Sequence, residues 1–107
     1  MLGEMFLRVI LEISEKKVTA YIQGEIDHHS AHGMREEIDN AIERVHPQTL
    51  VLDFAGVTFM DSSGIGLVMG RFKTMQSFGG IVEVVHVSDH IRKVMKVSGL
   101  DKLARIM

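Results

Sequence analysis

Apolar residues recur at one spacing and then another along the chain, and this alternation limits the fold more than any other feature. Leu50-Val51-Leu52-Asp53-Phe54 is a compact run of β-branched and large apolar residues, too short for a helix, which predicts a strand buried on both faces. Before it, Ala31, Met34, Ile38, Ala41, Ile42 and Val45 recur at steps of three and four, with Ser30 as N-cap and His46-Pro47 as stop. That spacing predicts an amphipathic helix. After it, a second helix is expected over 63–78, with Ile65, Val68, Met69, Phe72 and Met75 on its apolar stripe and Gly79-Gly80 as terminator. Ile81 to Val87 reads as another buried strand. Ser88 caps a third helix carrying Ile91, Val94 and Met95, Gly99 ends it, and Leu100 to Met107 gives a last turn and a short strand or tail. Upstream, Phe6 to Ile13 and Val18 to Gly24 flank the polar Ser14 to Lys17 and predict an antiparallel hairpin. Strands joined through single helices run parallel, whereas a hairpin cannot. The expectation is an α/β fold: a mixed sheet with an N-terminal hairpin, followed by βα units whose helices pack on the sheet.

The length of 107 residues predicts one domain over residues 1–107 with one core. With 46% hydrophobic and 24% charged residues, the chain is globular rather than disordered. Twelve basic against fourteen acidic residues leave a net charge of -2, and no basic cluster exceeds a pair, so nucleic acid is not expected as a direct partner. No apolar run approaches the roughly 18 residues of a membrane span, and the first residues lack a signal peptide's basic and apolar regions. A cytoplasmic protein without a membrane partner is expected. The absence of cysteine excludes disulfides, thiol catalysis and thiolate metal sites. The eight methionines lie mostly on the apolar stripes and read as core filler.

Two clusters invite chemistry. Asp27-His28-His29-Ser30-Ala31-His32 resembles a metal site, but no fourth ligand or general base stands at useful spacing, so no stoichiometric metal is expected. The alternative is a polar loop in which Asp27 and Ser30 serve unpaired amides at a helix start. Asp61-Ser62-Ser63-Gly64-Ile65-Gly66 approaches a nucleophile turn, yet Gly-x-Ser-x-Gly is absent, and Gly64-x-Gly66 has no Gly-Lys-Ser/Thr sequel. Neither a catalytic residue nor a cofactor is expected, while nucleotide binding stays open. Two hydroxyls between an acid and a glycine suit a helix N-cap as well as a functional site. In the helix that follows, Gly66, Gly70, Lys73, Thr74 and Ser77 share an arc roughly opposite Ile65 and Phe72. Each interior glycine costs about 1 kcal/mol relative to alanine. A docking face with Arg71 at its edge, a solvated face, and close packing against a neighbour all fit.

Gly24-Glu25-Ile26-Asp27-His28-His29-Ser30-Ala31, Phe59-Met60-Asp61-Ser62-Ser63-Gly64-Ile65-Gly66 and Gly70-Arg71-Phe72-Lys73 together resemble the STAS domain. Within it they are most similar to the sporulation anti-sigma factor antagonists of spore-forming bacteria. Ser98-Gly99-Leu100 fits as well, whereas His32-Gly33 in the first helix and the methionine-rich tail depart from the pattern. The resemblance implies a protein switch rather than an enzyme. Its unphosphorylated form would bind an anti-sigma factor that is also a serine kinase, and so free the sigma factor. Phosphorylation at Ser62 would inactivate it, and a metal-dependent serine phosphatase would reset it. The resemblance further implies partner-binding roles for Asp27, Asp61, Ser63, Gly64, Gly66, Gly70 and Arg71. Two alternatives remain: a STAS scaffold or transporter-regulating module that is not phosphorylated, and a small enzyme or nucleotide-binding protein.

Overall fold

The computed structural model describes residues 8–107, so the predicted strand positions Phe6 and Leu7 lie outside the described residues. Five strands and three helices follow in the order β1 (Val9–Ile13), β2 (Lys17–Ile26), α1 (Ala31–Val45), β3 (Thr49–Met60), α2 (Ser62–Gln76), β4 (Ile81–Val85), α3 (Asp89–Val97) and β5 (Arg105–Ile106). A short 3-10 turn at Leu100–Lys102 leads into β5. The strands form one sheet in sequence order. β1 runs antiparallel to β2, and each later neighbour is parallel to the one before it. This is the mixed sheet expected from the order of elements, because a tight turn reverses the chain while a helical crossover returns it in the same direction. Among the described residues, no helix is long and apolar enough to cross a membrane.

Every crossover moves one strand further in the same direction, and right-handed crossovers then bring the helices to one face of the sheet. The side chains on that face form the core: Val18, Ala20, Ile22, Leu50, Leu52, Val82 and Val84 are essentially inaccessible. Met34, Ile38, Ala41 and Ile42 meet them from α1, Val68 and Met75 from α2, and Ile91 and Met95 from α3. Met34, Met60, Met75 and Met95 are buried, in keeping with a filling role. On the opposite face, Tyr21 Oη donates to Glu12 (3.0 Å) and half-buried side chains meet solvent. The Glu12 hydrogen bond is the main cause of an upward shift in the Tyr21 pKa. Among the described residues, the central β3 alone is covered on both sides: Val51 and Asp53 on its outer row are buried too.

Several boundaries differ from the sequence expectation. β3 does not stop at Phe54 but continues to Met60, because β2 also runs on to Ile26 and supplies parallel partners through two irregularities, near Tyr21/Gln23 and Gly24/Glu25. Gly24 takes φ +83° there, a conformation that a side chain resists. Asp53, near the first irregularity, accepts from the Ala55 amide (2.9 Å) and lies 2.9 Å from His86 Nδ1. β4 ends at Val85 rather than Val87, since His86 turns left-handed (φ 58°). Ser88 caps α3 as expected, accepting from the Ile91 amide, and Gly99 ends that helix at φ +84°.

The apolar face of α2 is rotated from the predicted one. Its buried residues are Gly64, Leu67, Val68, Arg71 and Met75, while Ile65, Met69 and Phe72 are only partly covered. The cause is Arg71, which a hydropathy reading assigns to the exterior. Its side chain is 6% exposed, with Nε 2.9 Å from Asp39 Oδ1 of α1. The contact is ionic rather than an aligned hydrogen bond, since neither atom finds a hydrogen-bond partner among the described residues. Burial pushes the Arg71 pKa down, Asp39 opposes this, and Arg35 adds to the lowering. A guanidinium ordinarily titrates so far above neutrality that it stays charged.

The ion contact predicts a clear asymmetry. Asp39→Ala leaves the buried guanidinium without its counter-charge and should cost about 1–3 kcal/mol in urea unfolding. Asp39→Ala combined with Arg71→Met should recover most of that loss. Equal unfolding midpoints for wild type and Asp39→Ala would show that Arg71 is stabilised by other means.

Candidate functional site

The parallel register of β2 and β3 brings two acidic loops together. Ile26 pairs with Met60 at the carboxyl ends of the strands, and the Asp61 amide donates to the Ile26 carbonyl (3.1 Å). The next residue of each strand is an aspartate, so Asp27 and Asp61 open neighbouring turns.

Asp27 organises the first turn. Its Oδ1 accepts from the amides of His29 and Ser30, both at 2.9 Å, and its carbonyl accepts from the Ala31 amide. Those amides lower the Asp27 pKa, the Ser30 bond most of all and desolvation opposing it, so the carboxylate is charged at neutral pH. The stabilisation it gives the loop is present above the ordinary carboxylate pKa and is lost as pH falls through the lowered one. Ser30 occupies the N-cap position of α1 without capping through its side chain. Its backbone is already helical, so its hydroxyl points backwards, donating to the Glu25 carbonyl (2.7 Å) and accepting from the Asp27 amide (3.0 Å). The expected division is thus corrected: Asp27 serves the amides at the helix start, and Ser30 ties the loop to the end of β2. Among the described residues, no three potential metal-ligating side chains converge. His28 and His29 meet edge to face, while His32 contacts Arg35 and Glu36.

At the second turn, the N-cap of α2 is Asp61 rather than either serine. Asp61 is extended, and its Oδ1 accepts from the Ser63 amide at 2.7 Å while its carbonyl accepts from the Gly64 amide. The capping role that sequence left open for the hydroxyls is therefore filled, and neither hydroxyl has a hydrogen-bond partner among the described residues. Ser62 is exposed and Ser63 half-buried. Gly64 is required beneath them: a Cβ there would overlap Met60 Cγ and Sδ and press on Ile26. Ser62 is thus a free hydroxyl on the first turn of a helix whose start is fixed by an adjacent carboxylate and a backbone packed on the core.

The remaining predicted residues fall into two groups. Gly66 and Gly70 lie on the outside of α2, where a Cβ would meet nothing within 4 Å among the described residues, so close packing against those residues is not their reason. With Ser63, Arg35 and Ala31 they border a groove of about 330 Å³ between α1 and α2. Arg71 forms part of its wall, but as a buried side chain held against Asp39 and not as the exposed edge the sequence suggested. Sequence reasoning assigned no role to Arg35, Asp39 or Phe59. Asp39 and Arg71 are far apart in sequence and carry no local signal of pairing. Phe59 faces outward at the end of β3 and is 50% exposed, the most accessible aromatic side chain beside the two turns.

Residues 8–107 match the STAS domain, and the chain belongs to that family. Among its relatives, the anti-sigma F factor antagonist of Paenibacillus polymyxa is 33% identical over 102 residues, covering 95% of this chain and 87% of that protein. The corresponding antagonist of Lysinibacillus sphaericus is 35% identical over 88 residues, covering 82% and 75%. The solved structure of the anti-sigma factor antagonist SpoIIAA in its unphosphorylated form superposes with a TM-score of 0.74 at 31% identity, covering 92% of this chain and 86% of that one. The phosphorylated form of the Bacillus SpoIIAA gives 0.73 at 33% identity, covering 92% and 90%.

The turn geometry separates the glycines and the serines by stability alone. Gly64→Ala should destabilise by about 1–3 kcal/mol through overpacking against Met60, whereas Gly66→Ala should be neutral or stabilising by up to about 1 kcal/mol. Asp61→Ala should lose about 1 kcal/mol of capping, with Ser62→Ala and Ser63→Ala within about 0.5 kcal/mol of wild type. Thermal or urea unfolding of the five variants checks this. A loss at Ser62→Ala as large as at Asp61→Ala would return the capping role to the serine.

Proposed function

We propose that this chain is an anti-sigma factor antagonist whose unphosphorylated form binds an anti-sigma factor with serine kinase activity, and that phosphorylation of Ser62 ends the interaction. The observation that carries this reading is the exposed, unengaged Ser62 hydroxyl on a helix start already capped by Asp61. Such a hydroxyl can be modified without taking away a hydrogen bond on which the fold relies. The names of the relatives and of the SpoIIAA structures support the same reading. Asp27, Asp61, Ser63, Gly64, Gly66, Gly70 and Phe59 surround or support the acceptor, and Arg71 backs the adjoining groove. A serine phosphatase acting on phosphorylated Ser62 completes the cycle. The protein works in the cytoplasm as a substrate and ligand, not as an enzyme.

Electrostatics make one phosphate sufficient. Phosphorylation places about -1.5 to -2 charges at the first turn of α2, where the helix favours an anion by about 0.3–1 kcal/mol, so the free protein keeps its fold. In a complex, a partner carboxylate about 5 Å away at an effective dielectric near 20 would be repelled by roughly 3 kcal/mol per unit charge. Steric overlap adds to this. The sum approaches the roughly 5.5 kcal/mol that inverts a population from 99:1 to 1:99.

Binding of the purified kinase to variants tests the reading. Ser62→Ala should bind as wild type does and should not be released by ATP, whereas Ser62→Asp should bind at least about tenfold more weakly, its single charge being an imperfect phosphate mimic. Gly70→Gln should keep or slightly raise thermal stability and lose about 1 kcal/mol or more of binding. Equal binding of wild type and Ser62→Asp would remove the electrostatic mechanism, and ATP-driven release of Ser62→Ala would move the switch to another residue.

A further inference from the structure

The groove between α1 and α2 carries more positive charge than its surroundings neutralise. Arg35 has no acidic partner among the described residues; its Nη2 lies 2.9 Å from His32 Nδ1, and the nearby Glu36 is engaged by His32 Nε2 at 3.1 Å. Arg71, nine-tenths buried, lines the same groove. It touches Asp39 without an aligned hydrogen bond, and its Nη1 reaches the Leu67 carbonyl only at 3.5 Å. Two guanidiniums therefore face one carboxylate, and their mutual repulsion contributes to the lowered Arg71 pKa, after burial itself. Gly66 and Gly70, one turn apart, leave a gap without side chains on the α2 side of the groove, between Ser63, Leu67 and Arg71. Ser63 stands at the rim, next to the exposed Ser62.

We infer that this groove receives a carboxylate side chain of the anti-sigma partner, seated between Arg35 and Arg71, with the partner's backbone approaching α2 over Gly66 and Gly70. Charge complementarity identifies the occupant: an incoming aspartate or glutamate supplies a second carboxylate to two guanidiniums that have only Asp39 among the described residues, and offers charge-assisted hydrogen bonds to them. The groove opens at the surface beside the phosphoacceptor, so it forms one continuous interface with Ser62. The inference rests on the antagonist reading and adds a second anchor to it, one that fixes how α2 is held while the kinase reaches the serine.

The test uses the full chain and the purified anti-sigma kinase. Arg35→Glu should melt with wild type, because Arg35 is exposed, and should bind about tenfold or more weakly. Arg44→Glu, the same charge change at an exposed site further along α1, should bind within about twofold of wild type. Wild-type affinity should fall more steeply than that of Arg35→Glu between about 50 and about 300 mM salt. Unchanged binding by Arg35→Glu with Ser62 still phosphorylated overturns the groove inference alone. Equal losses in Arg35→Glu and Arg44→Glu overturn it as well, reducing the effect to net charge. A wild type that neither binds the kinase nor is phosphorylated overturns the antagonist reading and this inference together.

Discussion

The pairing of Ile26 with Met60 at the ends of two parallel strands is the contact on which the candidate site depends. A backbone hydrogen bond from the Asp61 amide to the Ile26 carbonyl joins the two chain reversals that carry Asp27 and the Asp61-Ser62-Ser63 turn. Strand register is strict because a shift by one residue would exchange buried for exposed side chains. Beneath the turn, Met60 fills the space that Gly64 leaves open, with Ile26 alongside. Backbone, core and site are thereby coupled: the hydroxyls sit where the packing of buried side chains puts them, not on a loop free to choose its own shape.

Work is divided between adjacent residues at this turn. Asp61 satisfies the helix, Gly64 allows it to lie on the core, and Ser62 has no part in either task. Two helices begin side by side, each behind an aspartate: the Asp61 carboxylate caps α2, while the Asp27 carboxylate holds the His29 and Ser30 amides just ahead of α1 and its carbonyl takes the Ala31 amide. The Asp39–Arg71 contact then ties the helices to each other further along. The chain superposes about equally on the unphosphorylated and the phosphorylated SpoIIAA, with TM-scores of 0.74 and 0.73.

The sequence conveyed the order and type of the elements because apolar periodicity reports which faces are buried, and the breaks at Pro47, Gly79-Gly80 and Gly99 are local. It conveyed less where long-range contacts decide. The extension of β3 to Met60 depends on β2 supplying a partner, so the mixed composition after Phe54 hides it. The true face of α2 was hidden by Arg71, whose burial is made tolerable by a carboxylate on another helix. Ser30 and Asp27 were both legible as polar groups at a helix start, but which of them served the amides depended on the backbone of Ser30. At the second turn the motif located the site, while the assignment of the cap to Asp61 came from its extended backbone and the position of its carboxylate.

The most direct measurement is a time course of the wild-type chain with the proposed anti-sigma kinase and ATP, read by intact mass and then by peptide mapping. The account predicts a single gain of about 80 Da, located on Ser62, with Ser63 unmodified throughout. Phosphate on Ser63 instead, or no gain in mass while the kinase remains bound, would contradict it.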